Sequence, residues 1–400
     1  MVELVLKHKK KAWACLFFVI IFSFFFVLPK VFSVRYLSPQ YASLFNKADK
    51  KVQEEVYIPA YVHTPDSVRG IYMTSWIASG RDLRNGLVRL IDETELNTVV
   101  IDVKDYSGKI VFKIDDNPRL KSFGSEEIRV KDMREFIDLL HKKNIYVVAR
   151  IAVFQDEYFV KYRPDLAVKN KAGNMVWKDR KGISWIDPGS REYWDYIVLI
   201  ARESRKIGFD EINFDYIRFP SDGNMQDISF PFSSTTPKHL VMKSFFEYLH
   251  NELRDAKVPE GESTKEPTLK ISADLFGMVT TATDDMGIGQ LLEDAFPYFD
   301  YIMPMVYPSH YPPTFEGFSD PEKFPYEIIK ISMQSAIDRA NLASTTPSKL
   351  RPWLQDFGLR VTYGREEVRA QIKAVNDIGL SSWVLWSPSN KYTKSALNLE

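Results

Sequence analysis

From Arg69 to the C-terminus the chain alternates short apolar runs with amphipathic segments. The apolar runs are Gly70–Trp76, Thr98–Asp105, Ile145–Phe154, Glu211–Pro220, Lys270–Gly277, Tyr301–Tyr307, Arg351–Phe357 and Ser381–Pro388. They are rich in β-branched and aromatic residues, which favour strands. Ile145–Phe154 is almost wholly apolar, as a parallel strand buried on both faces should be. Between the runs, apolar residues recur at helical spacing. Leu87, Leu90 and Ile91 share one face of Leu83–Glu95, and Met133, Phe136, Ile137 and Leu140 share one face of Lys131–Lys143. Further helices are expected over Ser190–Lys206, Pro237–Ala256, Ile288–Ala295, Pro321–Asn341 and Arg365–Ile378.

Eight strand-like runs alternating with helices predict an α/β fold of the (β/α)8 type, a TIM barrel. A doubly wound open sheet is the competitor, but it usually carries a glycine-rich phosphate turn after its first strand. Here that place holds Ile77-Ala-Ser-Gly-Arg-Asp82, with a single glycine. Segment lengths vary and no motif recurs, so the alternation is not a solenoid repeat.

The N-terminus follows another pattern. Lys7, Lys9, Lys10 and Lys11 precede Ala12–Leu28, seventeen residues without a charge. This reads as an uncleaved signal anchor with its N-terminus in the cytoplasm, the alternative being a cleaved signal peptide. The expected organisation is therefore 1–30 as signal anchor or signal peptide, 31–66 as linker, and 67–400 as the barrel. The chain is then a single-pass membrane protein with its barrel outside the cytoplasm, or a secreted one. The membrane is an expected partner through that N-terminal helix.

Composition narrows the chemistry. The 400 residues carry 53 basic and 53 acidic side chains. Residues 1–30 hold five lysines and one glutamate, which leaves a small acidic excess in the rest. Nucleic-acid binding through bulk positive charge is excluded on that basis, and no nucleic-acid partner is expected. Hydrophobic residues at 45% and aromatics at 14% exclude a disordered chain. The single cysteine, Cys15, permits no intramolecular disulfide and no cysteine-built zinc site. The six histidines show no metal-ligand spacing, and neither a G-x-S-x-G elbow nor a P-loop occurs. No cofactor and no metal are expected, and the chain is expected to act as a monomer.

In such a barrel the working groups gather at the C-terminal ends of the strands. Polar residues found there are Asp102 and Lys104 on the second strand, Arg150 on the third, and Asn213, Asp215 and Arg218 on or after the fourth. Asp274 is on the fifth, Tyr307 ends the sixth, Gln355 and Asp356 end the seventh, and Trp386 ends the eighth. A carboxylate inside a strand is costly unless it is paired. The alternative to catalysis is that these groups neutralise one another, with Asp102–Arg150 a natural pair. Asp215 stands out, because Phe214 and Tyr216 flank it and Ile-Arg-Phe-Pro follows.

Two carboxylates about one bond are what glycoside hydrolysis needs. One protonates the leaving oxygen, and the other attacks the anomeric carbon or activates water. Asp215 is the expected nucleophile, or the base in an inverting enzyme, and Asp274 the expected acid. Leu275 and Phe276 beside Asp274 would raise its pKa by desolvation. Asp102, Lys104, Arg150, Arg218, Tyr307, Gln355, Asp356 and Trp386 are expected to bind substrate, with Trp76 and Tyr216 as further sugar-stacking aromatics. The expected partner is a polysaccharide or oligosaccharide. A barrel that binds carbohydrate without cleaving it is the alternative, and the two differ in whether a second carboxylate reaches the Asp215 pocket.

Several segments carry a family resemblance. Gly70-Ile-Tyr-Met-Thr, Thr98-Val-Val-Ile-Asp-Val-Lys-Asp, Trp185-Ile-Asp-Pro-Gly, Phe209-Asp-Glu-Ile-Asn-Phe-Asp-Tyr-Ile-Arg-Phe-Pro220 and Met303-Pro-Met-Val-Tyr307 resemble the bacterial putative glycoside hydrolase domain family. The resemblance covers about 69–390 and extends distantly to the α-amylase type of barrel. It implies a carbohydrate-active TIM barrel with its key acid on strand four, at Asp215. In the amylase type a second acid follows strand five and a third follows strand seven, which here are Asp274 and Asp356 or Gln355. The amylase-type acid/base is a glutamate, so this chain departs from that pattern.

Overall fold

The computed structural model describes residues 57–254 and 268–399. The expected anchor, 1–30, and most of the expected linker, 31–66, lie outside the described residues. Among the described residues no helix is long and apolar enough to cross a membrane.

Eight parallel strands close into a barrel in chain order. They are β1 (Arg69–Met73), β2 (Thr98–Lys104), β3 (Tyr146–Ala152), β4 (Glu211–Asp215), β5 (Lys270–Phe276), β6 (Tyr301–Met305), β7 (Trp353–Gln355) and β8 (Trp383–Trp386). β8 pairs back onto β1, with Gly70 opposite Val384, which closes the ring. Seven of the eight runs predicted from sequence contain their strands and β1 begins one residue before its run, at Arg69, but several strands stop earlier than the apolar pattern does. The leftover residues turn outward into the loops at the C-terminal mouth.

The outer layer consists of α1 (Arg81–Asp92), α2 (Met133–Lys142), α3 (Arg191–Lys206), α4 (Lys238–Arg254), the short α5 (Leu292–Ala295), α6 (Pro325–Leu342) and α7 (Arg365–Asp377). After β8 the described chain has only a single 3-10 turn, Lys394–Ala396. Strand residues alternate between two cores because successive side chains point to opposite faces. Ile71, Val99, Ile101, Val147, Ile212 and Leu385 pack outward against the helices. Tyr72, Val100, Tyr146, Val148, Met303, Trp353 and Val384 form a separate cluster inside the barrel.

Pro59–Glu400 is one compact unit. Its first residues, at the end of the segment read as a linker, pack on the base of the barrel. The Tyr61 hydroxyl donates to the Arg205 carbonyl at 2.9 Å, and the Val62 amide donates to Asp210 at 2.8 Å.

Alternation places charges inside the barrel at both ends. At the base, Arg351 pairs with Glu211 at 3.0 Å, and both are buried. At the C-terminal mouth the inward positions of β2 to β5 are Asp102, Arg150, Asp215 and Asp274. The ladder sets Asp102 opposite Arg150 and Asp215 opposite Ala152. Four ionisable side chains from adjacent strands are thereby forced into one small volume.

Candidate active site

Arg150 organises this cluster. Its Nη1 donates to Asp102 at 2.6 Å, its Nη2 pairs with Asp215, and its Nε lies 3.7 Å from Asp274. All four side chains are buried. Burial opposes the arginine's charge, but Asp215 and Asp102 outweigh it and hold its pKa well above the ordinary value. Burial also raises Asp102, against the pull of Arg150 and of the Tyr72 hydroxyl bonded to it.

Asp274 differs from its neighbours. Its Oδ1 accepts from the Trp353 indole at 2.7 Å and from the Asn213 amide at 2.9 Å. Every hydrogen bond it makes among the described residues falls on that oxygen, which leaves Oδ2 directed at Arg150 Nε. Burial and the nearby charge of Asp215 push its pKa well above the usual carboxylate range. A carboxyl group with a raised pKa beside a second, ion-paired carboxylate is the asymmetry that acid/base hydrolysis uses.

The local backbone serves this arrangement. Tyr216, directly after Asp215, adopts φ 53°, a left-handed conformation uncommon for a bulky residue. The amide of Tyr216 donates back to Asp215 Oδ1 at 2.5 Å. The turn swings the chain out of β4, so that Tyr216 and Arg218 both line the opening. At the end of β5, Gly277 admits a close approach, because a Cβ there would sit 2.4 Å from the Met305 carbonyl oxygen.

Above the charges is a cleft of about 510 Å³, within the range of small-ligand sites. Arg150, Asp215 and Asp274 face it, and Tyr307, Trp353 and Trp386 form an aromatic wall. Trp386 stacks on Tyr72 with centroids 4.0 Å apart and lies 5.2 Å from the Arg150 guanidinium. Burial, then Asp274 and Asp215, raises the Tyr307 hydroxyl well above its usual pKa, so it remains a hydrogen-bond donor.

Six of the ten residues singled out from sequence as catalytic or substrate-binding line this cleft: Arg150, Asp215, Arg218, Asp274, Tyr307 and Trp386. Asp102 lies behind Arg150 and positions it. The other three point elsewhere. The β2–β3 register shifts between Asp102 and Lys104, which breaks the parity they share in sequence. Lys104 instead pairs with Asp156 at 2.9 Å, both fully buried, and donates to the Ala152 carbonyl at 2.5 Å. Gln355 receives the Ser309 amide at 3.0 Å and donates to the Phe357 carbonyl at 2.7 Å, so it ties two loops together. Asp356 accepts from the amide and hydroxyl of Thr393 at 2.8 and 2.7 Å. Trp76 also lies off the cleft, two-thirds exposed, with the Arg129 guanidinium 4.5 Å from its ring.

Sequence reasoning missed Tyr72 and Trp353, which bond the two flanking carboxylates. Their signal was the inward parity that they share with the other residues of the inner cluster. Among the described residues no group of three or more histidine, cysteine or acidic side chains is arranged to hold a metal ion.

Fold and site together define a (β/α)8 barrel with a carboxylate pair and an aromatic wall at its C-terminal mouth. The chain belongs to the family described as "Putative glycosyl hydrolase domain", whose model matches residues 70–392. No curated protein matches the sequence significantly. Among solved structures, the glycoside hydrolase domain of PgaB (BpsB) from Bordetella bronchiseptica is similar at 13% identity, over 84% of this chain and 99% of that one, with TM-score 0.56. The α-L-fucosidase isoenzyme 2 of Paenibacillus thiaminolyticus matches at 13% identity, over 83% and 47%, with TM-score 0.52. A hypothetical protein from Ruminiclostridium thermocellum ATCC 27405 is 28% identical over 55% of this chain and 98% of its own, with TM-score 0.44. The first two likenesses bear on the fold alone.

Proposed function

We propose that this chain is an extracytoplasmic glycoside hydrolase, tethered by the apolar run Ala12–Leu28, that cleaves a cell-surface or envelope polysaccharide. In this reading Asp215 is the nucleophile, or the base if the enzyme inverts, and Asp274 is the acid. The observation that carries the reading is the asymmetry between the two carboxylates. Asp215 is ion-paired with Arg150, whereas Asp274 is buried, is engaged through one oxygen, and has a raised pKa. Trp386 and Tyr307 supply faces on which a sugar ring stacks, and Arg150 keeps Asp215 aimed at the cleft. Because the acid works protonated, turnover falls as pH rises through the pKa of Asp274.

The test is release of reducing ends by the purified full chain across a polysaccharide panel. Asp215→Asn is expected to remove nearly all turnover while leaving fold and binding in place. Asp274→Asn is expected to slow natural glycosides more than activated aryl glycosides, whose leaving groups need less protonation. Saccharide binding without any cleavage would assign the chain to the carbohydrate-binding class instead. Fractionation of cells expressing the full chain tests the tether, and recovery in the soluble cytosol would overturn that part.

A further inference from the structure

Among the described residues the buried cations follow one rule with one exception. Arg84 pairs with Asp132 at 2.6 Å, Arg150 with Asp102 at 2.6 Å, Arg351 with Glu211 at 3.0 Å, and Lys104 with Asp156 at 2.9 Å. Arg218 is also buried, at 8% exposure, and it lines the cleft. Among the described residues it has no ion-pair partner. Only its Nη1 is engaged, by the Phe219 carbonyl at 3.0 Å and the Ser221 hydroxyl at 3.1 Å. The rest of the guanidinium is held between rings, 4.5 Å from Phe276, 4.9 Å from Trp185 and 5.4 Å from Tyr216.

A second cation stands at the same opening. Lys181 lines the cleft and likewise has no ion-pair partner among the described residues. Its loop is fixed rather than loose. The amides of Lys181 and Ile183 both donate to Asp179 Oδ1 at 2.9 Å, and Asp179 Oδ2 receives the Trp185 indole at 3.1 Å. Trp185 thus supports both cations, with Arg218 over its ring and the Lys181 loop bonded through Asp179 to its nitrogen.

An unpaired buried charge is costly, and elsewhere this chain avoids the cost. Burial holds the Arg218 pKa below the ordinary arginine value, and the carboxylates of Asp215, Asp222 and Asp179, none of which forms an ion pair with it, do not offset it. The guanidinium nonetheless stays charged in water-accessible protein. Its missing partner is therefore one that arrives with the ligand.

We propose that the cleft takes a saccharide whose ring carries a carboxylate, a uronic acid residue, with Arg218 and Lys181 receiving that group. The proposal rests on the glycoside hydrolase reading and names its substrate class. A guanidinium fork fixed between aromatic faces suits a planar carboxylate, which it binds through two parallel hydrogen bonds. Lys181, a point charge at the rim, adds attraction without directionality. The two cations also offset the repulsion that Asp215 would exert on an acidic sugar.

The test uses the full chain carrying Asp215→Asn, so that bound oligosaccharides stay intact, and reads affinity by calorimetry. The probes are oligomers of glucuronate, galacturonate, mannuronate and guluronate, each beside its carboxyl-reduced neutral counterpart, and a sulfated galactan oligomer. At least one uronate oligomer is expected to bind tenfold or more tighter than its reduced form. Arg218→Gln should remove most of that preference and Arg218→Lys only part of it. Lys181→Gln, in an exposed loop, should weaken the preference several-fold even if the Arg218 variants fail to fold. Equal affinity for acid and reduced forms throughout, a preference for the sulfated oligomer over every uronate, or a preference untouched by the Lys181 and Arg218 changes would overturn the proposal. Reducing-end release by the unmutated chain on the same panel separates the two readings. Tight uronate binding without cleavage overturns the hydrolase reading and leaves this one. Cleavage of reduced oligomers as fast as their acids overturns this one alone.

Discussion

Replacing Arg150 with methionine removes the one cation that the carboxylates of β2, β4 and β5 share. Methionine fills most of the aliphatic volume, so the loss is chiefly electrostatic. In the native chain Arg150 pairs with Asp102 at 2.6 Å and with Asp215, and all three side chains are buried. Breaking a buried pair from one side costs about 3–5 kcal/mol, because the partner charge is left uncompensated. The two pairs share one arginine, so their losses do not simply add. We therefore expect Arg150→Met to lower unfolding free energy by about 3–5 kcal/mol near pH 7.5.

The loss should depend on pH with a definite sign. Burial raises Asp102 and Asp274 above their unfolded values, and Arg150 is among the influences that pull both down. Removing it raises both further. A group with a raised folded pKa binds more protons in the folded state, so stability falls as pH rises through that pKa. The slope reaches about 1.4 kcal/mol per pH unit for each carboxylate titrating. The destabilisation should therefore be larger at pH 8 than at pH 5. Urea unfolding at both pH values, followed by tryptophan fluorescence, measures it. A loss under about 1 kcal/mol, or one larger at pH 5, would refute the reasoning.

Three further outcomes are expected. Trp353→Phe removes the indole bond to Asp274 at 2.7 Å, a bond that favours the ionised form; the Asp274 pKa should rise further, and the alkaline limb of the kcat/KM profile should move to higher pH. Gly277→Ala sets a Cβ 2.4 Å from the Met305 carbonyl oxygen; a loss of about 1–3 kcal/mol is expected on the scale of overpacked cores, and a thermal melt superimposable on that of the native chain would contradict it. Lys104→Met strands the fully buried Asp156; stability should fall by about 3–5 kcal/mol, while KM at a temperature where the variant stays folded should be unchanged, since Lys104 lies off the cleft.

The alternation of runs was legible because it reflects local physics. A strand buried on both faces must be apolar at nearly every position, and a helix covering it must be apolar on one stripe. Those two periods marked all eight strands and seven of their partners. The Asp102–Arg150 pair was also legible, since facing positions on neighbouring strands with opposite charges admit few other solutions. Asp215 and Asp274 converged as expected because both sit at inward positions near the ends of adjacent strands.

What stayed hidden was decided between segments far apart in the chain. Lys104 shares the parity of Asp102, yet a register shift after Asp102 turns it outward to Asp156. Parity counts residues and cannot register a bulge, which depends on how two strands fit. Trp353 bonds Asp274 across 79 residues, and Tyr72 bonds Asp102 across 30. Gln355 and Asp356 sit at a strand end as catalytic groups do, but Ser309, Phe357 and Thr393 take up their polar atoms. The lack of a partner for Arg218 emerges only once every nearby carboxylate has been placed. Sequence by itself determined the barrel and the place of Asp215 and Asp274 at its mouth, because hydrophobic period and strand position are properties of a segment alone. Tertiary structure decided which charges are neutralised and which face the cleft, because pairing depends on distances that only the closed barrel sets.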